Sequence, residues 1–152
     1  MPRVFDSIDA LRPLVGQEIA VSDWLLVPQE LIDAFAALTG DRQWIHVDPE
    51  RARRESPYRA TVAHGFLTLS LVSRCLVEAV HINGIQRLIN YGFNRLRFPG
   101  PVRAGNRLRA RIALQAFEEV PGGVQLTWLV TVEVENEPKP ALVAEWLVRY
   151  YR

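Results

Sequence analysis

Asp41 and His46 are the residues of this chain whose types and spacing most directly suggest chemistry. A carboxylate and an imidazole can each take or give a proton near neutral pH, which is the task of a general acid–base pair. Their five-residue separation turns a helix by about 140°, and on a strand it points the two side chains to opposite faces. If they act together, we therefore expect them to converge from an irregular loop. The spacing alone leaves open a turn aspartate and an unrelated surface histidine.

The elements around this pair are a helix before it and a short helix after it. The first helix ends near Thr39, and its buried face is predicted from apolar residues at three- and four-residue spacing: Leu31, Ile32, Phe35 and Leu38. Gly40 can take the left-handed conformation that ends a helix. Asp48 and Pro49 form an N-cap and first-turn pair that opens a short helix to about Glu55. Residues 42–47 are predicted to form a loop.

The rest of the chain supplies the scaffold. A strand is predicted over residues 18–27, and residues 64–80 give a helix that is apolar nearly all round, which indicates burial. Residues 85–98 form an extended segment with Ile85, Ile89, Tyr91 and Phe93 on one face. Three strands with strict alternation follow: Leu108–Ala116, Val124–Val134 and Leu142–Tyr150. This order predicts one α+β domain over residues 1–152, with an antiparallel sheet curled around the long helix.

Composition excludes several classes of function. Hydrophobic residues make up 49% of the 152 residues, and 18 basic residues are balanced by 17 acidic ones, so no charge pattern favours nucleic acid or a membrane surface. Cys75 is the single cysteine, which excludes an intrachain disulfide. The charged, proline-containing N-terminus lacks the apolar core of a signal peptide. We therefore expect an intracellular, cytoplasmic protein.

The stretch around Asp41 and His46 resembles a family signature. The signature reads aromatic, small residue, Gly-Asp, variable residue, Asn-Pro, aliphatic, His and then a small residue six positions on. Here those places are Phe35, Thr39, Gly40-Asp41, Arg42, Gln43-Trp44, Ile45, His46 and Ala52. The match resembles the MaoC-like, (R)-specific enoyl-CoA hydratases. Gln43-Trp44 departs from the usual Asn-Pro, and the variant Gln-Trp-Ile-His resembles the nodulation-protein-N-like branch of that family.

This resemblance implies a hot-dog fold, in which the antiparallel sheet wraps a long buried central helix. It also implies a homodimer with sheets joined edge to edge, and coenzyme A thioester substrates without a metal or redox cofactor. By the same resemblance, Asp41 and His46 hold the catalytic water. Gly65, within Ala63-His64-Gly65-Phe66-Leu67, matches the second motif, whose glycine N–H stabilises the thioester oxygen. His64 itself is interpreted as a structural residue at the start of the helix.

Other polar residues are secondary candidates. Gln43 could offer its amide to the loop or to the thioester. Asn90 could line the acyl pocket at a dimer interface or simply face solvent, and Asn94 is a weaker candidate of the same kind. Three arginines around the turn at residues 99–101 could receive coenzyme A phosphates or form a solvated strand end: Arg95, Arg97 and Arg103.

Three functions fit these observations. The leading hypothesis is reversible addition of water to a trans-2-enoyl-CoA, which gives the (R)-3-hydroxyacyl-CoA. A hot-dog thioesterase would use the same scaffold for hydrolysis. A non-catalytic acyl-thioester binding subunit would be compatible with the departure at Gln43 and Trp44.

Overall fold

The computed structural model describes residues 1–152, and its main feature is a six-stranded sheet packed against one long helix. The helical elements are a 3₁₀ helix at Ile8–Leu14, α1 at Gln29–Thr39, α2 at Trp44–Val47, α3 at Pro49–Glu55 and α4 at Gly65–Ala79. The strands are β1 at Arg3–Phe5, β2 at Glu18–Val21, β3 at Leu25–Leu26, β4 at Val80–Ile82, β5 at Arg87–Arg97, β6 at Arg107–Val120, β7 at Gly123–Val134 and β8 at Leu142–Tyr151.

The large sheet is antiparallel, in the order β2-β6-β7-β8-β5, with β3 also paired to β6. Alternate residues of β6, β7 and β8 face the core, as the period-two pattern predicts. The buried apolar side chains of the central strand β7 are Val124, Leu126, Trp128, Val130, Val132 and Val134. Its neighbours bury Leu108, Ala110, Ile112, Leu114, Leu142, Ala144, Trp146, Val148 and Tyr150. The predicted α+β fold, with the helix against the inner face of an antiparallel sheet, is confirmed.

The helix α4 is buried on one side only. Leu67, Val72 and Leu76 pack into the core, whereas Phe66 is 71% exposed and Val77 is 68% exposed. The expectation of burial all round is therefore wrong for the single chain, because one sheet covers only one face of a helix. The apolar outer face of α4 remains open.

The strand β5 corrects the predicted face of residues 85–98. Two irregularities, between Asn90 and Gly92 and between Phe93 and Arg95, each shift the register by one residue. A bulge of this kind moves the following side chains to the other face. Before the first shift, Ile89 lies opposite Arg149 on the outer side and Asn90 lies opposite Val148 on the core side. The first shift then places Phe93 on the core side, opposite Trp146. The alternation from Ile85 to Phe93 that the sequence suggests is therefore wrong.

Four smaller expectations also change. Residues 42–47 include the single-turn helix α2 rather than only loop, and the predicted strand at residues 18–27 is divided into β2 and β3. Leu38 is 84% exposed because Ala36 takes the buried place on α1. Ala116 lies opposite Thr127 after a register shift in β6, so it leaves the inner face.

None of the helices combines the length and apolarity needed to span a bilayer.

A buried hydrogen bond links two of the central strands. Trp128 Nε1 donates to the hydroxyl of Tyr150 at 2.9 Å, and both side chains are buried. Burial raises the pKa of Tyr150, so the hydroxyl keeps its proton through the neutral range. The bond satisfies a polar group at the centre of the core.

We expect Tyr150→Phe to lower the free energy of unfolding by about 1–3 kcal/mol, because the Trp128 N–H would remain buried without an acceptor. Urea denaturation at fixed protein concentration measures the change. Tyr151→Phe is the matched control, since Tyr151 is only partly buried at the end of β8. Equal stability of the two variants would contradict this account of the core.

Candidate active site

Asp41 lies immediately after the end of α1. Gly40 takes the left-handed conformation, with φ of 80°, and its N–H donates to the carbonyl of Ala36. This glycine ends the helix as the sequence predicts. The Asp41 side chain is exposed, and its Oδ1 receives a long hydrogen bond of 3.5 Å from the N–H of Gln43. The carboxylate is therefore free to meet another molecule.

His46 lies on α2, and its ring is buried. Its Nδ1 is 2.6 Å from the carbonyl oxygen of Val62. A carbonyl only accepts hydrogen bonds, so Nδ1 carries the proton, and in the neutral ring Nε2 keeps its lone pair. His46 is thus held as the tautomer that can accept a proton at Nε2.

Backbone and side-chain bonds attach α2 to residues 61–62. The N–H of Val62 donates to the carbonyl of Ile45 at 3.0 Å. Gln29 Nε2 donates to the carbonyl of His46 at 2.8 Å, while its Oε1 accepts from the hydroxyl of Thr61. The side chain of Gln29 therefore joins α1, α2 and the segment before α4 at one point.

His64 is brought into the same site. Its ring stacks on that of His46, with centroids 3.8 Å apart and planes at 23°, and its Nε2 is 2.9 Å from the carbonyl oxygen of Asp41. A carboxylate oxygen of Asp41 and ring nitrogens of His46 and His64 all lie within 4.8 Å of one another. Asp41 and His46 thus converge despite their unfavourable spacing, because α1 ends and α2 turns back between them.

The three side chains are close enough to be considered as metal ligands, but their geometry does not suit one. His46 Nδ1 and His64 Nε2 both face carbonyl oxygens as donors. The remaining nitrogen of His64, Nδ1, is enclosed and has no hydrogen-bond partner. A tetrahedral metal ion requires ligand lone pairs that converge on one point. The lone pairs of two stacked rings instead point in nearly parallel planes.

Gly65 is the first residue of α4, so its N–H has no acceptor within the helix. It lines a cavity of about 260 Å³, together with Ile45, Tyr58, Phe98 and Val102. A Cβ at position 65 would lie 3.3 Å from the Phe98 ring, closer than an ordinary contact. Glycine therefore permits a close approach to the helix N-terminus at this cavity.

The secondary candidates are distributed differently. Gln43 is exposed beside Asp41. Asn90 accepts a hydrogen bond of 2.8 Å from Trp146 Nε1, and it lines a separate cavity of about 210 Å³ between α4 and β5. Its neighbour Asn94 is exposed within the second irregularity of β5.

The three arginines have different surroundings. Arg95 and Arg97 line a cavity of about 330 Å³ on the outer face of the sheet, beside Glu145. Arg103 does not line that cavity, and its guanidinium is paired with Glu137 at 2.9 Å. Two of the three arginines therefore share one cavity.

Sequence reasoning missed His64, Gln29 and Thr61 as members of the site. No local pattern signals them, because their hydrogen bonds join segments that are 17 to 32 residues apart.

Comparison with known proteins places this arrangement in a family. Residues 11–136 match the model of the MaoC like domain. The chain is 47% identical to 3-hydroxyacyl-thioester dehydratase Z of Mycobacterium tuberculosis over 149 residues, which cover 97% of this chain and 98% of the relative. It is 43% identical to nodulation protein N of Rhizobium meliloti over 148 residues, with 93% and 89% covered.

A solved structure agrees with the sequence matches. The (R)-hydratase from A. caviae involved in PHA biosynthesis superposes with a TM-score of 0.68 and 27% identity, over 88% of this chain and 94% of that one. The resemblance in the Asp41–His46 stretch is confirmed, including its nodulation-protein-N-like character. The chain belongs to the MaoC-like dehydratase family.

Proposed function

We propose that this protein is an (R)-specific enoyl-CoA hydratase, which adds water reversibly to a trans-2-enoyl-CoA to give the (R)-3-hydroxyacyl-CoA. The observation that carries the proposal is the convergence of Asp41 and His46 on His64, the residue that directly precedes the first N–H of α4. Membership of a dehydratase family supports the reaction class. The stereochemistry, the thioester carrier and the roles of the residues are part of the proposal.

The spacing of the pair suits a bound water. A water that donates to two acceptors at about 2.8 Å each bridges acceptors about 4.5 Å apart. A carboxylate oxygen of Asp41 and a ring nitrogen of His46 lie within 4.8 Å of each other, which is compatible with such a bridge. We assign the acceptor on His46 to Nε2, because Nδ1 faces the carbonyl of Val62. Both protons of the water are then engaged, and its oxygen lone pairs are free to attack.

Hydration proceeds by attack of the water oxygen on C3 of the enoyl group, with one water proton passing to the pair. The electron pair of the double bond moves onto the thioester oxygen, and C2 then takes a proton from the pair. Because one pair serves both carbons, the hydroxyl and the proton arrive on the same face. The proton count balances, since the pair returns the proton that it receives.

The enolate oxygen needs a hydrogen-bond donor. The N–H of Gly65 is unpaired at the positive end of α4, where negative charge is favoured. The cavity that Gly65 lines is largely apolar, which suits an acyl thioester. We assign Arg95 and Arg97 to the phosphates of coenzyme A, and Arg103 to its ion pair with Glu137.

We also propose that the protein is a homodimer formed along β5. This strand pairs only with β8, so its other edge is open, and Ile89 and Tyr91 on it are exposed. An open apolar edge favours pairing with a second copy. The cavity between α4 and β5 would then be closed by the partner, with Asn90 in its wall.

The reaction class is tested by following the conjugated enoyl thioester and free thiol in the same sample. We expect absorbance of the enoyl group to fall without thiol release. Thiol release at the rate of absorbance loss would instead identify a thioesterase, and no change in either signal would indicate a binding subunit. Either result would overturn the proposed hydratase.

The pair is tested by Asp41→Asn and His46→Gln, which keep the size of each side chain. We expect each to lower kcat by at least about 10², and the double variant to be little worse than either one. Asp48→Asn is a control outside the pair, since Asp48 caps α3. Activity within a few-fold of wild type in either single variant would contradict the assignment.

Assembly is tested by dilution. We expect specific activity to fall in step with dissociation of the dimer, because a lone subunit would lack one wall of the pocket. Light scattering and activity are measured over the same concentration series. A monomer that retains full specific activity would refute the shared pocket without affecting the chemistry of Asp41 and His46.

A further inference from the structure

We propose that His64 is a positioning residue that holds both members of the catalytic pair, a role that rests on the proposed function. Two separate contacts support it. The ring of His64 stacks on His46 at 3.8 Å, and its Nε2 lies 2.9 Å from the carbonyl oxygen of Asp41. No other side chain of the chain makes polar or stacking contact with both Asp41 and His46.

The hydrogen bond to Asp41 fixes a segment that has few other constraints. Asp41 follows the left-handed Gly40, and its other hydrogen bonds are long, at 3.4 Å to the Thr39 hydroxyl and 3.5 Å to the N–H of Gln43. The carbonyl oxygen can only accept, so Nε2 of His64 donates. This bond is the shortest one that holds the Asp41 residue to the rest of the protein.

The stack fixes the second member of the pair. The bond from His46 Nδ1 to the Val62 carbonyl anchors one atom of the ring but permits rotation about that contact. A nearly parallel ring on its face, with planes at 23°, removes this freedom. Phe35 in turn contacts the His64 ring, with centroids 5.0 Å apart. The direction of the His46 Nε2 lone pair is therefore set from α4.

His64 acts through the pair rather than on substrate. Its side chain is 3% exposed, and its Nδ1 is enclosed without a partner. A nitrogen so enclosed cannot exchange a proton with a molecule in the cavity. In the neutral ring the enclosed Nδ1 carries the lone pair, since Nε2 carries the hydrogen.

Two substitutions separate the contacts. His64→Phe keeps a flat ring to stack on His46 but removes the donor to Asp41. His64→Gln keeps a donor amide but removes the ring. We expect each to lower kcat by about 10-fold to 100-fold while KM changes little, because orientation of the pair and not binding is lost. His81→Gln is the control, since His81 is exposed on β4 and should leave kcat unchanged.

A double variant distinguishes a positioning role of His64 from a general loss of folded structure. When His64→Phe is added to Asp41→Asn, we expect less than about a twofold further loss in kcat, because the contact would act on a carboxylate already removed. Independent losses that multiply would overturn the positioning role, and so would single variants with wild-type kcat. Thermal unfolding of every variant is measured beside the kinetics.

Nuclear magnetic resonance gives a readout that does not depend on activity. We expect His64→Phe to shift the backbone amide signals of residues 41–43, and His64→Gln to shift the ring ¹⁵N signals of His46. Unchanged signals in both variants would overturn the positioning role. An inactive wild-type protein that shows these shifts would refute the proposed function but retain the role of His64.

Discussion

The site depends on the attachment of a single helical turn to an extended segment. The helix α2 has four residues, too few to be stable by its own hydrogen bonds. Three contacts hold it: His46 Nδ1 to the Val62 carbonyl, Val62 N–H to the Ile45 carbonyl, and the amide of Gln29 to the His46 carbonyl. If this attachment were lost, the imidazole would no longer face Asp41. The extended segment continues directly into α4, and Ile45, Val62 and Gly65 line one cavity. One attachment therefore positions the proposed pair of Asp41 and His46 and the N–H that is proposed to stabilise the enolate.

The polar groups of this attachment are buried next to an apolar core, where an unpaired donor or acceptor is costly. Nearly all of them have partners. Thr61 and Gln29 bond each other, and the His46 ring bonds Val62. The exception is Nδ1 of His64, which is enclosed and has no hydrogen-bond partner. A phenylalanine at this position would have no such unsatisfied nitrogen. Such departures from the rules of a stable core are expected where function requires them.

The sequence predicts much of the scaffold and only part of the site. Alternation in β6, β7 and β8 has period two and strongly apolar inner positions, so their buried faces were predictable. Gly40 was recognisable because few residues other than glycine adopt its backbone conformation readily. The face of β5 was not predictable, because the shifts near Gly92 and Asn94 depend on pairing with β8. The contacts of His64 were hidden for a similar reason, since they join segments that are distant along the chain.

We propose that Asp41 and His46 add water across an enoyl thioester on one face. This proposal is tested most directly by hydrating trans-2-butenoyl-CoA in deuterium oxide and analysing the product by nuclear magnetic resonance. We expect (R)-3-hydroxybutyryl-CoA with one deuterium at C2, on the face that received the hydroxyl oxygen. An (S) product, a deuterium on the opposite face, or free coenzyme A in place of the hydroxyacyl thioester would contradict it.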